Sequence, residues 1–213
     1  MIGRMTKAIT QGGRPGPGAS PMPAVERGNQ VRRRLRSAAV ELIVERGWTG
    51  VSTRALAERA GVAPGLVHYH FPSVQGLLAE AAADALCAAA TALRRVLEQA
   101  GTPQEAVEML LRELDHYTGR DPVSLLFAET YLAATRDEAL ARVVGGLLTD
   151  FRSDLAAWLG ERGVPDPAAT AAVLTAAIDG ILLHRAMDPA MTADMAAPVL
   201  RRLCPVTRQE EPR

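Results

Sequence analysis

Lysine, cysteine and aromatic residues are scarce in this chain, and the few cysteines exclude two kinds of site. Of 213 residues, one is a lysine (Lys7), 4 % are aromatic, and the two cysteines, Cys87 and Cys204, stand far apart. Two isolated cysteines form neither a disulfide framework nor the ligand spacing of a metal site, so we expect reduced thiols and no metal. The sequence also lacks a nucleophile elbow, a Gly-rich phosphate loop and an HExxH motif. We therefore expect no catalytic residues, no enzyme activity and no cofactor.

Long hydrophobic runs are missing as well. No uninterrupted apolar run reaches the ~18 residues that a membrane-spanning helix needs. The N-terminus, MIGRMTKAITQGGRPGPGASPMP, is broken by glycine, proline and charge where a signal peptide would have an apolar core. We therefore expect a cytoplasmic protein with no membrane partner.

The abundant residues favour helix along most of the chain. Hydrophobic residues make up 48 %, and most of them are Ala, Leu and Val. They recur at helical spacing between glycines and prolines, which predicts nine helices, no strand and an all-α fold. Residues 1–24 and 205–213 lack this periodicity and are predicted to be disordered tails.

Charge is divided unevenly between the two parts of the chain. Residues 1–76 carry eleven Lys and Arg against four Asp and Glu, a balance of +7. The remainder carries thirteen against twenty, a balance of −7. A basic segment joined to an acidic body indicates an anionic partner that only the first part touches.

Residues 52–72, STRALAERAGVAPGLVHYHFP, have the pattern of a helix-turn-helix. Ser52 can cap the first helix, and Ala57 is the small residue that a closely crossing second helix requires. Gly61 suits a turn with positive φ, and Val67 follows at a position that should be buried. The basic segment VRRRLR at 31–36 precedes this pattern.

With these motifs, residues 27–78 resemble the DNA-binding domain of the tetracycline-repressor (TetR) family of bacterial transcription regulators. The quoted similarity is ERGWTGVSTRALAERAGVAPGLVHYHF, followed by PSVQGLLAEAAADAL at the start of a long fourth helix. Val74 departs from the family, which usually has a lysine there. The resemblance implies a three-helix DNA-binding domain at 25–73 and a helical ligand-sensing and dimerisation domain at 74–204.

The resemblance assigns the aromatic and histidine cluster at 68–71 to a recognition helix. Phe71 should face inward with Val67, one turn away, while His68 and Tyr69 face double-stranded DNA. The predicted DNA-binding residues are Arg33, Arg36, Thr53, Arg54, Ala63, Pro64, Gly65, His68 and Tyr69. Two alternatives remain: the cluster belongs to the core, or its histidines hold a metal, although side chains at i and i+2 on a helix diverge.

The recognition helix offers little for direct base readout. It contains no Arg, Asn or Gln, the residues that pair with guanine and adenine through two hydrogen bonds. We expect specificity to depend on DNA shape and on the N-terminal arginines. A two-fold dimer would require an inverted-repeat operator.

The acidic body has two competing interpretations. It senses a hydrophobic small molecule that releases a homodimeric repressor from its operator, or it only dimerises and leaves a DNA-binding repressor or activator constitutive. His116, Tyr117, Glu129 and His184 are polar residues within or beside apolar segments. The resemblance implies a ligand cavity among the fourth to seventh helices, which makes His116, Tyr117 and Glu129 the candidate ligand-binding residues. Apolar positions in the last two helices predict a four-helix dimer interface. The interface residues would be Leu174, Ile178, Ile181, Leu182, Val199 and Leu203.

Overall fold

The computed structural model describes residues 24–205, which form nine α-helices and no strand. Both predicted tails lie outside the described residues except for Ala24, which begins the first helix, and Pro205. The helices are α1 (Ala24–Arg46), α2 (Thr53–Ala60), α3 (Pro64–His70), α4 (Val74–Gln99), α5 (Pro103–Leu114), α6 (Pro122–Ala134), α7 (Glu138–Gly160), α8 (Pro167–Arg185) and α9 (Ala193–Leu200).

The all-α fold is as predicted, and the helices begin where capping residues are available. The side chains of Thr102, Asp121, Asp137 and Thr192 each accept a hydrogen bond from a backbone amide in the first turn of the helix that follows. Proline occupies the first position of α5, α6 and α8, where its missing amide hydrogen costs nothing.

Two helix ends differ from the sequence prediction. Helix α5 ends at Leu114 rather than near residue 118, because the chain turns away and reaches Gly119 with φ of 77°. Helix α9 ends at Leu200, and Arg201–Leu203 continue as a 3-10 turn. Pro198 within α9 cannot donate a helix hydrogen bond, which weakens this short helix.

The chain divides into two compact units, the first ending at Asp84 and the second beginning at Ala85. The sequence predicts a boundary between residues 73 and 74, whereas the first turns of α4 pack with the first unit. Side chains of α1, α2, α3 and α4 form its core. The largest fully buried ones are Leu35, Leu42, Ile43, Leu56, Val67, Leu77 and Leu78.

Ionic contacts reinforce the apolar packing of the first unit. Arg59 of α2 pairs with Glu41 at 3.0 Å and with Glu45 at 2.6 Å, both on α1. The indole nitrogen of Trp48 donates to the side-chain oxygen of Gln75 at 2.7 Å, which ties the α1–α2 connection to the first turn of α4. These contacts fix the helices that flank α3.

The second unit has its own apolar core, supplied by α4, α5, α7, α8 and α9. Its members include Leu97, Leu110, Leu111, Phe151, Leu155, Leu159, Leu174, Ile178, Ile181 and Leu200. Helices α7 and α8 pack along each other, and α9 packs on α5. A second hydrophobic core accounts for the independent compactness of this part of the chain.

By length and composition, α4 and α8 are apolar enough to cross a membrane, which the absence of long uninterrupted runs did not predict. Acidic residues are few among their alanines and leucines, so the average hydropathy stays high. Three of the acidic residues are engaged: Glu80 and Asp84 in α4 bind arginines, and Asp179 in α8 accepts a hydrogen bond. Each helix also contributes side chains to a core.

Candidate functional site

Helices α2 and α3 form a helix-turn-helix around Gly61. Ser52 caps α2, its side chain accepting a hydrogen bond from the amide of Ala55 at 3.3 Å. Gly61 ends α2 in the left-handed conformation, with φ of 61° and ψ of 45°. The amide of Val62 then donates to the carbonyl of Ala57 at 2.9 Å. This turn directs the chain into α3 at Pro64.

Arg34 of α1 holds this turn, a role that the sequence did not reveal. Its guanidinium donates to the carbonyl of Ala60, from Nε at 2.8 Å, and to the carbonyl of Gly61 at 2.6 Å. These carbonyls belong to the end of α2, where helical partners are lacking. One arginine of the basic VRRRLR segment therefore supports the motif from within the unit.

Helix α3 buries one side and exposes the other. Val67 and Phe71 are 0 % and 2 % exposed, whereas Tyr69 is 80 % exposed. The exposed residues are Ala63, Pro64, Gly65, Leu66, His68 and Tyr69. A Cβ added at Gly65 would meet nothing within 4 Å, so the surface is open there. His70 is half-buried, and its ring makes an edge contact with Tyr69 at 5.0 Å between centroids.

The start of α2 lies beside this exposed face of α3. Oγ1 of Thr53 lies 3.5 Å from Nε2 of His68, a long contact that joins the two helices at the surface. Arg54 is exposed next to Thr53. The fold thus brings together six of the predicted DNA-binding positions in α2 and α3, with Ala63 immediately before α3.

The two predicted α1 arginines occupy different environments. Arg33 is exposed. Arg36 instead pairs with Glu80 at 3.1 Å and with Asp84 at 2.8 Å, both on α4. Two carboxylates already occupy its guanidinium, so we correct the assignment of Arg36 from a DNA contact to a contact between α1 and α4.

Arg32 extends the α1–α4 contact to α3. Its guanidinium pairs with Glu80 at 2.9 Å, donates to the carbonyl of His70 at 3.2 Å and lies 4.5 Å from the centroid of the Phe71 ring. A cation over an aromatic face adds to the charge pairing. Arg32 therefore links α1, the end of α3 and the first turns of α4.

The three candidate ligand-binding residues of the second unit have different environments. His116 is exposed, with Nδ1 3.2 Å from the carbonyl of Glu113. Glu129 is half-buried on α6. Tyr117 alone lines an open cleft of about 650 Å³ at the ends of α5 and α8. Burial raises the pKa of the Tyr117 phenol, so it stays protonated at neutral pH.

Arg185 lines this cleft, and its guanidinium donates four hydrogen bonds. It is 7 % exposed and pairs with Asp115 at 2.8 Å. It also donates to the carbonyls of Met191 at 2.7 Å, Tyr117 at 3.1 Å and Leu114. The loop after α5 is thereby fastened to the end of α8. These four acceptors offset the cost of burying the charge, so Arg185 stabilises the structure here.

A second polar group lies among α6, α7 and α8 and was missed from the sequence. The hydroxyl of Tyr131 donates to Oδ2 of Asp179 at 3.2 Å, and the Tyr131 ring makes a T-shaped contact with Phe127. Arg152 is near enough to affect the pKa of both Tyr131 and Asp179. Its Nε is buried and has no hydrogen-bond partner among residues 24–205. The only sequence signal was a lone acidic residue in the apolar segment AAIDGILL.

Burial sets the ionisation of this polar group. It raises the pKa of the Asp179 carboxyl, an effect that the Tyr131 hydrogen bond and Arg152 only partly offset. Burial and the negative charge of Asp179 raise the pKa of the Tyr131 phenol as well. Asp179 is half-buried, and its carboxylate is therefore more costly to ionise than an exposed one.

Half of the predicted dimer interface belongs to the monomer core. Leu174, Ile178 and Ile181 are buried within the second unit, so they are corrected from interface to core. Helix α8 is apolar on both sides, so its pattern alone does not show which side faces the core of the monomer. Leu182 is half-buried, whereas Val199 and Leu203 are exposed.

The exposed side of α8 carries a different apolar stripe. It comprises Ala169, Val173, Ala176, Gly180 and Leu183, spaced by three or four residues. Val173 and Leu183 are 52 % and 54 % exposed, and a Cβ added at Gly180 would meet nothing within 4 Å. On α7, a Cβ added at Gly145 or Gly146 would likewise meet nothing within 4 Å. We call the five α8 residues the outer stripe.

Within residues 24–205, no cluster of three or more His, Cys, Asp and Glu side chains could hold a metal ion. His68 and His70 differ in exposure, as their i and i+2 spacing predicts. Cys87 is exposed, Cys204 is buried, and both are free thiols.

Family comparisons match both units. Residues 35–81 match the model of bacterial regulatory proteins of the tetR family, and residues 101–206 match the tetracyclin repressor-like C-terminal domain. The HTH-type transcriptional regulator BetI of Agrobacterium fabrum is 30 % identical over 173 residues, covering 79 % of this chain and 83 % of that protein. The regulator PksA of Bacillus subtilis is 27 % identical, covering 74 % and 80 %.

Solved structures give the same result. A transcriptional regulator of Streptomyces coelicolor A3(2) superposes with a TM-score of 0.70 at 28 % identity, covering 82 % of this chain and 98 % of that one. The multidrug binding protein EbrR, complexed with imidazole, superposes with a TM-score of 0.65 at 30 % identity, covering 84 % and 98 %. EbrR is also known in complex with malachite green. The chain therefore belongs to the TetR family of DNA-binding transcriptional regulators.

Proposed function

We propose that this regulator is a cytoplasmic homodimeric repressor, released from an inverted-repeat operator by a small molecule. The observation that carries the proposal is the two-sided character of α3, which buries Val67 and Phe71 and exposes Ala63 to Leu66, His68 and Tyr69. A helix held this way can enter the major groove with its outer side against the bases.

The side chains on this surface are of two kinds, those that would contact phosphates and those that would contact bases. Arg33, Arg54 and Tyr69 are exposed donors suited to phosphate oxygens, which fix position rather than sequence. His68 is the polar side chain best placed for a base edge, with Thr53 beside it. The small surface at Ala63, Pro64 and Gly65 allows close approach and contact with thymine methyl groups.

The outer stripe of α8 supports dimerisation. Val173 and Leu183 expose apolar surface that water solvates poorly, and Ala176 and Gly180 between them would let a second helix approach closely. Two copies related by a two-fold axis would place α7 and α8 of each in a four-helix bundle. Burying this stripe against itself would also bring two recognition helices together on one operator.

Release by a ligand rests on the second unit and on α4. Helix α4 is continuous from Val74 to Gln99, so its first turns belong to the DNA-binding unit and the remainder to the second unit. EbrR, which has the same fold at 30 % identity, is described as a multidrug binding protein. A ligand that favours one position of α4 would change the separation of the recognition helices. A ~100-fold preference for the released state corresponds to about 2.7 kcal/mol.

The test is a selection of bound genomic fragments by the purified protein, with and without an extract of small molecules. We expect fragments that share an inverted repeat, and we expect a reporter under that operator to be silenced by the protein. Loss of the selected fragments in the presence of the extract would support release by a ligand. Unchanged binding with a compound shown to occupy the second unit would favour a body that only dimerises.

A further inference from the structure

Leu66 is a large apolar side chain on the exposed side of the recognition helix α3. It is 36 % exposed, whereas Val67 beside it is buried. Between residues 24 and 84, three large apolar side chains are exposed: Val25, Leu66 and Tyr69. Two of these three lie on α3, which has seven residues, and they are three positions apart on neighbouring turns. Exposed apolar surface gathered in one place is typical of a contact surface.

Leu66 and His68 lie on opposite flanks of this exposed side. Successive residues of an α-helix are rotated by about 100°, so the two side chains point roughly 160° apart, with Gly65 and Tyr69 between them. The His68 flank is polar, since Oγ1 of Thr53 lies 3.5 Å from Nε2 of His68. Because the flanks face different directions, Leu66 and His68 would contact different base pairs.

The Leu66 flank offers an apolar contact to a base. Ala63, Pro64 and Gly65, which precede Leu66, have no side-chain donor or acceptor. A Cβ added at Gly65 would meet nothing within 4 Å, so no described residue keeps the α3 backbone away from a groove there. In the major groove the apolar group of the bases is the C5 methyl of thymine. A leucine at this position therefore favours thymine over the other three bases.

We propose that Leu66 is a specificity-determining residue that contacts the C5 methyl of one thymine in each half of the operator. The inference rests on the proposed function, in which α3 enters the major groove of an inverted repeat. Removing one such methyl should weaken binding about fourfold, the equivalent of about 0.8 kcal/mol of apolar contact. Removing it from both half-sites should weaken the dimer about 15-fold, since separate positions contribute additively.

Deoxyuridine isolates the methyl group, because it differs from thymidine in lacking that methyl and keeps the same hydrogen-bonding groups. The operator is first obtained by selection from random-sequence duplexes with the full-length protein. Deoxyuridine then replaces thymidine at one symmetric pair of positions at a time, and fluorescence anisotropy at a fixed salt concentration measures the affinity. We expect a pair at which the wild type loses about 15-fold. At the same pair, 5-methylcytosine should bind better than cytosine.

Two variants assign the effect to Leu66. Leu66→Ala should bind the thymidine operator more weakly and should bind the thymidine and deoxyuridine operators equally at that pair. Tyr69→Phe is the matched control on the same exposed side, and it should keep the full loss with deoxyuridine. Thermal unfolding without DNA checks that both variants are folded, and the deoxyuridine series on the wild type needs no variant at all.

The outcomes separate this inference from the proposed function. If deoxyuridine at every thymine leaves the wild-type affinity unchanged, or if Leu66→Ala keeps the full loss, Leu66 does not read a methyl group. A selected inverted repeat would still support the proposed function in either case. If the selected duplexes share no sequence, the proposed function is wrong and the inference fails with it.

Discussion

Arg34 on α1 donates hydrogen bonds to the carbonyl oxygens of Ala60 and Gly61, at the turn of the helix-turn-helix. Arg33 and Arg34 are both exposed on α1, but it is Arg34 that binds the backbone of the turn. Adjacent arginines of one basic segment therefore make different contacts. We expect different losses when each is changed.

Replacing Arg34 by methionine should destabilise the first unit by about 1 kcal/mol, because two carbonyls lose a charged donor at a partly exposed site. DNA affinity should fall with it, since the turn orients α3. Urea unfolding of the full chain and titration with operator DNA measure the two effects. The matched variant, Arg33→Met, should leave stability unchanged and weaken binding to all DNA sequences alike. Its DNA affinity should also depend less steeply on salt concentration. Equal stability of Arg34→Met and wild type would contradict the role given to Arg34.

His68 should carry base preference at one operator position. His68→Ala is expected to relax that preference by about 1–3 kcal/mol, because one base-edge hydrogen bond is lost. Arg54→Ala and Tyr69→Phe should instead weaken operator and random DNA by similar factors, as phosphate contacts do. Competition between operator variants, scored at each position, gives the comparison. If His68→Ala lowers the affinity for all DNA sequences equally, His68 is a phosphate contact.

The helices of this chain were predictable because their ends carry local signals. Ser52, Thr102 and Gly61 act through neighbouring backbone groups, so their effect is visible in the sequence. The same holds for Val67 and Phe71, whose spacing of one turn predicts a shared buried face. Local chemistry sufficed for these features.

Features that depend on distant residues were not predictable in the same way. From the sequence, Arg36 lies on the outer side of α1. In the fold, Glu80 and Asp84 of α4 lie beside it and pair with its guanidinium. The buried and exposed sides of α8 both carry apolar residues, so periodicity fixed the spacing but not the side that faces the core. Asp179 meets Tyr131 only because three helices pack together.

The outer stripe should be required for the dimer. Val173→Glu or Leu183→Glu should give a monomer at micromolar concentration, because two copies would bring like charges together in an apolar contact. Light scattering after size-exclusion chromatography reports the mass. Operator affinity should fall strongly in the monomer, since one recognition helix replaces two.

Val199→Glu is the control for the stripe, since Val199 is 55 % exposed on α9 and was part of the interface predicted from sequence. It should leave the dimer intact if the stripe on α8 is the contact. If Val199→Glu is a monomer and Val173→Glu is still a dimer, the interface lies on α9 and not on the outer stripe.

Asp179 should make the stability of the second unit depend on pH in a direction opposite to that of most carboxylates. Burial raises the pKa of Asp179 above its ordinary value of 3.8. The folded protein therefore binds more protons than the unfolded chain as the pH rises from 3.8 through the raised pKa, and stability falls across that interval.

The variant Asp179→Asn removes the titration and keeps an acceptor for Tyr131. Its unfolding free energy should therefore exceed that of the wild type by an amount that grows across the interval and then stays constant. Urea unfolding of both proteins at a series of pH values gives this difference. Asp121, whose pKa the hydrogen bonds from Ser124 and Thr118 lower despite burial, contributes the opposite trend equally to both proteins and cancels. A difference that does not change with pH would show that Asp179 is ionised as easily in the folded protein as in water.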